Sequence, residues 1–271
     1  MAYGSTFIQN RRGARLFIAD ERPDAAAAPG EAWLICSPIL EEKNVAHGAF
    51  VTLARALAAG GVRAVRLDYE GHGDSDGDTA ELGLDEWTDD VCDVAEWLRR
   101  DGAHQLTLMG CRAGALIAAR VAARLGAARV VAWCPVVRGE DHVHDLLRLN
   151  LTTQMTVYKK VRQDRPALIE GLTAGQPVNI VGWTMGRTLL NSLMQASLPD
   201  LLAALPCATH ILDLTRRAGA APSEGVAALA ADRVAVHAAQ GLPFWIDGNY
   251  VDYRQDRLLQ ATVTLAKAPL Q

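Results

Sequence analysis

Residues 106–119 read LTLMGCRAGALIAA, and this stretch decides the fold. Leu106 to Met109 is a short unbroken apolar run, as expected of a strand buried on both faces. Gly110 and Gly114 follow at a Gly-x-x-x-Gly spacing. An alanine-rich helix, Ala113 to Leu125, comes next and is closed by Gly126. A strand running through two such glycines into a helix is the frame of a nucleophile elbow, whose central residue is normally serine. Here the central residue is Arg112. The frame is present and the nucleophile is absent.

Outward from this turn the chain alternates buried strands with helices. Upstream lie a strand at Ala32 to Ser37, a helix from about Gly48 to Ala59 ending at Gly60-Gly61, and a strand at Ala64 to Asp68. A glycine-rich loop, Tyr69 to Gly83, leads to an amphipathic helix, Leu84 to Arg100. In it Leu84, Trp87, Val91, Val94 and Leu98 share one face. Thr6 to Gln9 and Arg15 to Ala19 are two short strands around Arg12-Gly13, and Asp20 to Glu31 is a surface loop with an alanine-rich tract at 25–28. Downstream, Val130 to Pro135 is another strand. The rhythm then breaks between about Arg138 and Pro199, which reads as an inserted helical cap without strands. It resumes with a strand at His210 to Leu214, a helix near Ser223 to Ala231, a strand at Arg233 to Ala238, and a last helix from about Asp252 to Ala266. This order predicts an α/β class with a mostly parallel twisted sheet and helices on both faces. Residues 1–137 and 200–271 form one core domain, and 138–199 the cap.

Half of the 271 residues are apolar and the formal net charge is −4. That balance, with scattered arginines, argues against a nucleic-acid partner. No signal peptide is evident, and no run of about 18 apolar residues could span a membrane. Of the five cysteines, none has CxxC spacing. Reduced, buried thiols in a cytoplasmic protein are expected, with no metal and no cofactor. His142 and His144 resemble a ligand pair in EDHVHD but have no defined third ligand.

Two further segments sharpen the assignment. Asp68 to Gly77, DYEGHGDSDG, resembles the D-x-x-G-x-G-x-S loop after the fourth strand of α/β-hydrolases. Ser37-Pro38 occupies the place of their oxyanion loop. With Pro38 to Asn44 (PILEEKN), Arg55 to Gly77, GCRAG, Trp133 to Val136 (WCPV) and Gly241 to Trp245 (GLPFW), the chain resembles the exosortase A system-associated hydrolase 2 family. The resemblance implies an α/β-hydrolase fold, arginine at the elbow, and an association with bacterial exopolysaccharide and protein-sorting loci.

Chain order in this fold is nucleophile, acid, histidine. Asp213 is the candidate acid. The loop expected to carry the histidine, Gln240 to Asn249 (QGLPFWIDGN), contains none. His237 lies inside the preceding strand and is a weak substitute, and His72 reads as structural. Cys111, beside a guanidinium at a helix start, is the alternative nucleophile for an ester- or thioester-directed hydrolase or acyltransferase. The other reading is an anion site: Arg112 and the Ala113 N–H at a helix N-terminus, with Ser37, Glu41, Glu42 and Asn44 around them. A buried arginine requires a partner. Either Glu41 or Glu42 plugs the pocket, or a ligand carboxylate or phosphate takes that place. Trp183, Met155, Met185 and Met194 are candidates to line an acyl pocket in the cap. The functions left open are ligand binding by a protein without a triad, association with a partner hydrolase or a second copy, and residual catalysis through Cys111.

Overall fold

The computed structural model describes residues 2–24, 30–246 and 255–270. The tract at 25–28, the loop beyond Ile246 and the expected start of the last helix lie outside them. The elements are β1 (Ala2–Gln9), β2 (Arg15–Arg22), β3 (Glu31–Cys36), α1 (Leu40–Ala59), β4 (Arg63–Leu67), α2 (Leu84–Arg100), β5 (Gln105–Cys111), α3 (Gly114–Leu125) and β6 (Arg129–Trp133). Then come α4 (Gly139–Tyr158), α5 (Arg165–Thr173), β7 (Val178–Ile180), β8 (Trp183–Met185) and α6 (Arg187–Met194). The chain finishes with α7 (Leu198–Ala203), β9 (Ala208–Thr215), α8 (Glu224–Ala227), β10 (Val234–Gln240) and α9 (Asp256–Lys267).

Eight strands form one sheet in the order β1-β2-β4-β3-β5-β6-β9-β10. The first two pairings are antiparallel, and those from β4 onward are parallel. Two apolar layers flank the sheet. One contains Leu34, Leu108 and Ile211 with Trp87 of α2 and Leu116 of α3. The other contains Trp33, Met109, Cys111 and Leu212 with Phe50 of α1 and Leu258 of α9. Neighbours along each strand serve opposite layers, as the pleat requires.

Several expectations are corrected. β2 runs to Arg22, past the expected end at Ala19, because Asp20 is buried in ion pairs with Arg22 and Arg63. α1 begins at Leu40 instead of near Gly48, so Glu41 and Glu42 lie in its first turn, where the helix dipole favours carboxylates. Its opening turn buries Glu42 and Lys43, which interrupts the apolar period. The segment between Arg138 and Ser197 is not purely helical, since β7 and β8 pair as a small antiparallel hairpin. Strands of three residues are too short to show a period in sequence. The helix expected at Ser223 to Ala231 shrinks to the single turn of α8. An antiparallel bridge between Arg138 and Ser197 closes the base of the cap segment, and the Thr79 hydroxyl donates to the Thr184 carbonyl to pin its hairpin.

Candidate functional site

β5 delivers Arg112 at φ +52°, and the chain returns at once to helical angles at Ala113. A non-glycine residue in this left-handed region persists only where its surroundings hold it. The Arg112 N–H donates to the Trp133 carbonyl at 3.1 Å, and its own carbonyl accepts from Ala115 (3.1 Å) and Val136 (3.2 Å). Three elements therefore fix the apex and aim the side chain off the carboxyl edge of the sheet.

Among the described residues, three side chains meet the guanidinium. Its Nε donates to Glu42 Oε1 at 3.1 Å. Its Nη2 lies 3.8 Å from Asp145 Oδ2 on α4. Its carbon sits 4.9 Å from the centroid of the Trp245 ring, a cation–π contact. Trp245 belongs to the loop after β10, where a triad histidine would stand. Glu42 is thus the acid that meets Arg112. Glu41 turns to the cap, accepting from Trp183 Nε1 at 3.3 Å, while the Trp183 ring stacks on His72 at 4.9 Å.

Burial pushes the Glu42 carboxyl up to about 7, against the pull of Arg112. Its Oε2 is buried without a hydrogen-bond partner among the described residues. His142, at the start of α4, is also buried, with both ring nitrogens unpartnered among the described residues; burial, and then the Arg112 charge, holds it neutral down to about 3. His144 follows two positions later, so the two imidazoles leave the helix on different sides and form no ligand pair.

The other candidates do not converge. Cys111 is fully buried in the layer against α1 and α9, and burial pushes its thiol well above its ordinary value. A thiol so placed is neither thiolate nor accessible. Asp213 accepts from both the N–H and the hydroxyl of Ser223 at 2.8 Å, so it holds a turn. His237 is exposed on the edge strand, stacked on His210 at 5.9 Å. It is in register with Leu212, one residue from Asp213, and so faces the opposite side of the sheet. Asp213 and His237 form no acid–imidazole pair. His72 is structural: its Nε2 accepts the Leu40 N–H at 3.0 Å. Asn44 lies exposed on α1, and the Ser37 hydroxyl is buried without a partner among the described residues while its carbonyl accepts from Tyr69. The Ala113 N–H donates to no described residue. Of the cap candidates, Met185 is buried core, and Met155 and Met194 are exposed.

Arg112 forms the wall between two cavities. The larger, of about 520 Å³, runs along α4 and is lined by Glu41, Glu42, Asp145, Leu149, Val157 and Trp245 among others. The smaller, of about 310 Å³, lies on the His142 and Ser223 side. Asp145, His142 and Trp245 were not foreseen as neighbours of Arg112, because their approach depends on how the cap and the last loop fold over the sheet.

A mostly parallel sheet in this order, with a strained turn between β5 and α3 under an inserted segment, defines the α/β-hydrolase fold. Residues 44–180 match the family described as serine aminopeptidase, S33, and the chain belongs to that family. Among solved structures it is similar to Est1E from Butyrivibrio proteoclasticus in its ferulic acid complex. That match has 15% identity over 97% of this chain and 96% of that one, with a TM-score of 0.68. The esterase domain of a Rhodothermus marinus protein matches with 17% identity over 98% and 97%, TM-score 0.65. The α/β hydrolase GrgF from Penicillium sp. sh18 matches with 13% identity over 98% of both chains, TM-score 0.65. At these identities the likeness establishes the fold. No curated protein matches the sequence significantly.

The burial of Cys111 is checked by alkylation. Iodoacetamide at mildly alkaline pH is expected to leave Cys111 unmodified in the folded protein and to reach it in denaturant, with half-buried Cys207 reacting first. Rapid native modification of Cys111, read by peptide mass spectrometry, would contradict the packing.

Proposed function

We propose that this protein, an α/β-hydrolase-fold chain of the exosortase A-associated hydrolase 2 type, binds an anionic acyl ligand and does not hydrolyse by a covalent serine or cysteine route. The observation that carries this reading is the Arg112 guanidinium standing at the apex where a nucleophile would be. It borders the larger cavity beside Glu42 and Trp245. Among the described residues its Nε alone makes a hydrogen bond, and Asp145 stands 3.8 Å from Nη2, beyond hydrogen-bond distance, so the Nη fork is left to a carboxylate or phosphate head. From that head the cavity continues between Leu146, Leu149, Val157 and Val181, with Thr152 and Thr156 between them. This is an apolar trough with a charged end, the usual composition of a site for an amphiphile.

Hydrolysis by the ordinary route lacks three parts. Position 112 carries no nucleophile, Cys111 is sealed in the core, and Trp245 covers the face on which an imidazole would act.

The test is calorimetric titration with decanoate and with its methyl ester. Decanoate is expected to bind and the ester to bind more weakly. Arg112→Ala is expected to weaken decanoate at least about tenfold, the size of a charge-assisted hydrogen bond. A fluorophosphonate probe should leave the chain unlabelled. Equal affinity for acid and ester, or stoichiometric labelling, would overturn the proposal.

A further inference from the structure

The end of α4 and the turn into α5 form a tip unlike the rest of the surface. Every residue from Met155 to Asp164 is exposed. Four of them are large and apolar: Met155 is 49% exposed, Val157 61%, Tyr158 46% and Val161 45%. Lys159, Lys160 and Arg162 interleave with them. None of these cations pairs with a carboxylate among the described residues, whereas arginines elsewhere, such as Arg11, Arg15, Arg22, Arg120 and Arg124, are held in ion pairs. Arg162 instead lies over the Tyr158 ring at 3.6 Å. On a chain of net charge −4 this is a local patch of unneutralised positive charge set among apolar side chains.

The position of the tip matters as much as its composition. α4 lines the larger cavity from Asp145, beside Arg112, to Val157 at the tip. At helical rise that is about 18 Å of trough. Val157 belongs to both the trough and the exposed patch.

We infer that the tip Met155–Arg162 docks on an anionic lipid surface, with the cations against headgroups and Met155, Val157, Tyr158 and Val161 in the interfacial layer, so that the cavity mouth meets the bilayer. Cations flanked by apolar and aromatic side chains are the composition of an interfacial contact, and charge alone would suit any polyanion. The function of that contact, exchange of an acyl ligand with the lipid, rests on the reading of the cavity given above; the docking itself does not.

Vesicle co-sedimentation of the full chain tests it. The protein is expected to partition onto phosphatidylcholine vesicles doped with phosphatidylglycerol, to leave pure phosphatidylcholine vesicles largely unbound, and to be released by salt. The double variant Lys159→Ala/Lys160→Ala should weaken partition about 30-fold, and Val157→Ser/Tyr158→Ser about tenfold. These residues are exposed, so both variants should fold as the parent does. Absence of partition onto the anionic vesicles would overturn the inference. So would loss through the lysine variant with none through the apolar one, which would mark a site for a soluble polyanion. Arg112→Ala should still sediment with vesicles. A chain that docks but takes no decanoate in buffer therefore counts against the acyl site alone, and one that takes decanoate without docking counts against the tip alone.

Discussion

Gly114→Ala is expected to destabilise the protein by about 4 kcal/mol or more, enough to leave little folded chain at 37 °C. A Cβ at position 114 would stand 2.2 Å from the Cys36 carbonyl oxygen and 2.4 Å from that of Ser37. Both are backbone atoms at the end of β3 and the start of the following loop. No rotamer change can relieve the clash, and the close approach of α3 to that loop would have to open. Gly110 is confined in the same way, since its Cβ would lie 2.5 Å from the Ala115 Cα. Gly225→Ala is the control: nothing lies within 4 Å of the added carbon, and the expected change is a few tenths of a kcal/mol at most. Urea unfolding of the two variants decides the matter. A Gly114→Ala variant as stable as its parent would mean that β5 does not turn against the β3 loop, and the placement of Arg112 would fail with it.

These two glycines explain why the centre of the fold was legible. Their spacing is set by backbone contact, which leaves a mark in sequence whatever residue stands between them. The buried runs at β3, β4, β6 and β9, and the amphipathic face of α2, were legible for the same reason: burial acts residue by residue with a fixed period. Elsewhere the deciding forces were tertiary. β2 continues through Asp20 because Arg63 and Arg22 reach it from other elements. α1 starts early, and its first turn buries Glu42 in direct contact with Arg112. The sequence named Glu41 and Glu42 as equal candidates; the two leave adjacent positions of one helix turn, so only the placement of Trp183 and Arg112 separates them. The loop QGLPFWIDGN was read for the histidine it lacks. That its tryptophan covers the guanidinium depends on where the loop lands after β10. His237 illustrates the converse, since its side of the sheet is fixed by register with Leu212, which no single-strand pattern reports.

Glu42→Gln is expected to stabilise the protein at pH 8 and to leave it nearly unchanged at pH 4.5. In the folded chain the Glu42 carboxyl is raised from its ordinary 4.5 to about 7, chiefly by burial, and Asp145 adds to the rise while Arg112 opposes it. A raised acid contributes stability that is fully present below its unfolded value and is lost as pH climbs through the folded one. Between pH 4.5 and about 7 the parent should therefore lose about 3 kcal/mol relative to the glutamine variant, because glutamine still accepts from Arg112 Nε and carries no charge to desolvate. The charged groups acting on this carboxyl are Arg112 and Asp145, and the same guanidinium acts on His142. Arg112 keeps its charge throughout the window. His142 stays neutral in the folded chain but takes a proton below about 6.5 when unfolded, a slope of opposite sign that parent and variant share, so the difference between the two reports Glu42. The same carboxyl competes with an acyl head for Arg112. Bringing a second carboxylate to the guanidinium favours the protonated form of Glu42, so decanoate should bind with proton uptake. Its affinity should rise as pH falls from 8 to 6, by no more than tenfold per pH unit. In Glu42→Gln the affinity should be flat over that range. A glutamine variant less stable than its parent at pH 8 would show that the Arg112 attraction outweighs the burial of the carboxylate. Glu42 would then be a charged latch closing the cavity, and an anionic head would have to break an ion pair to enter.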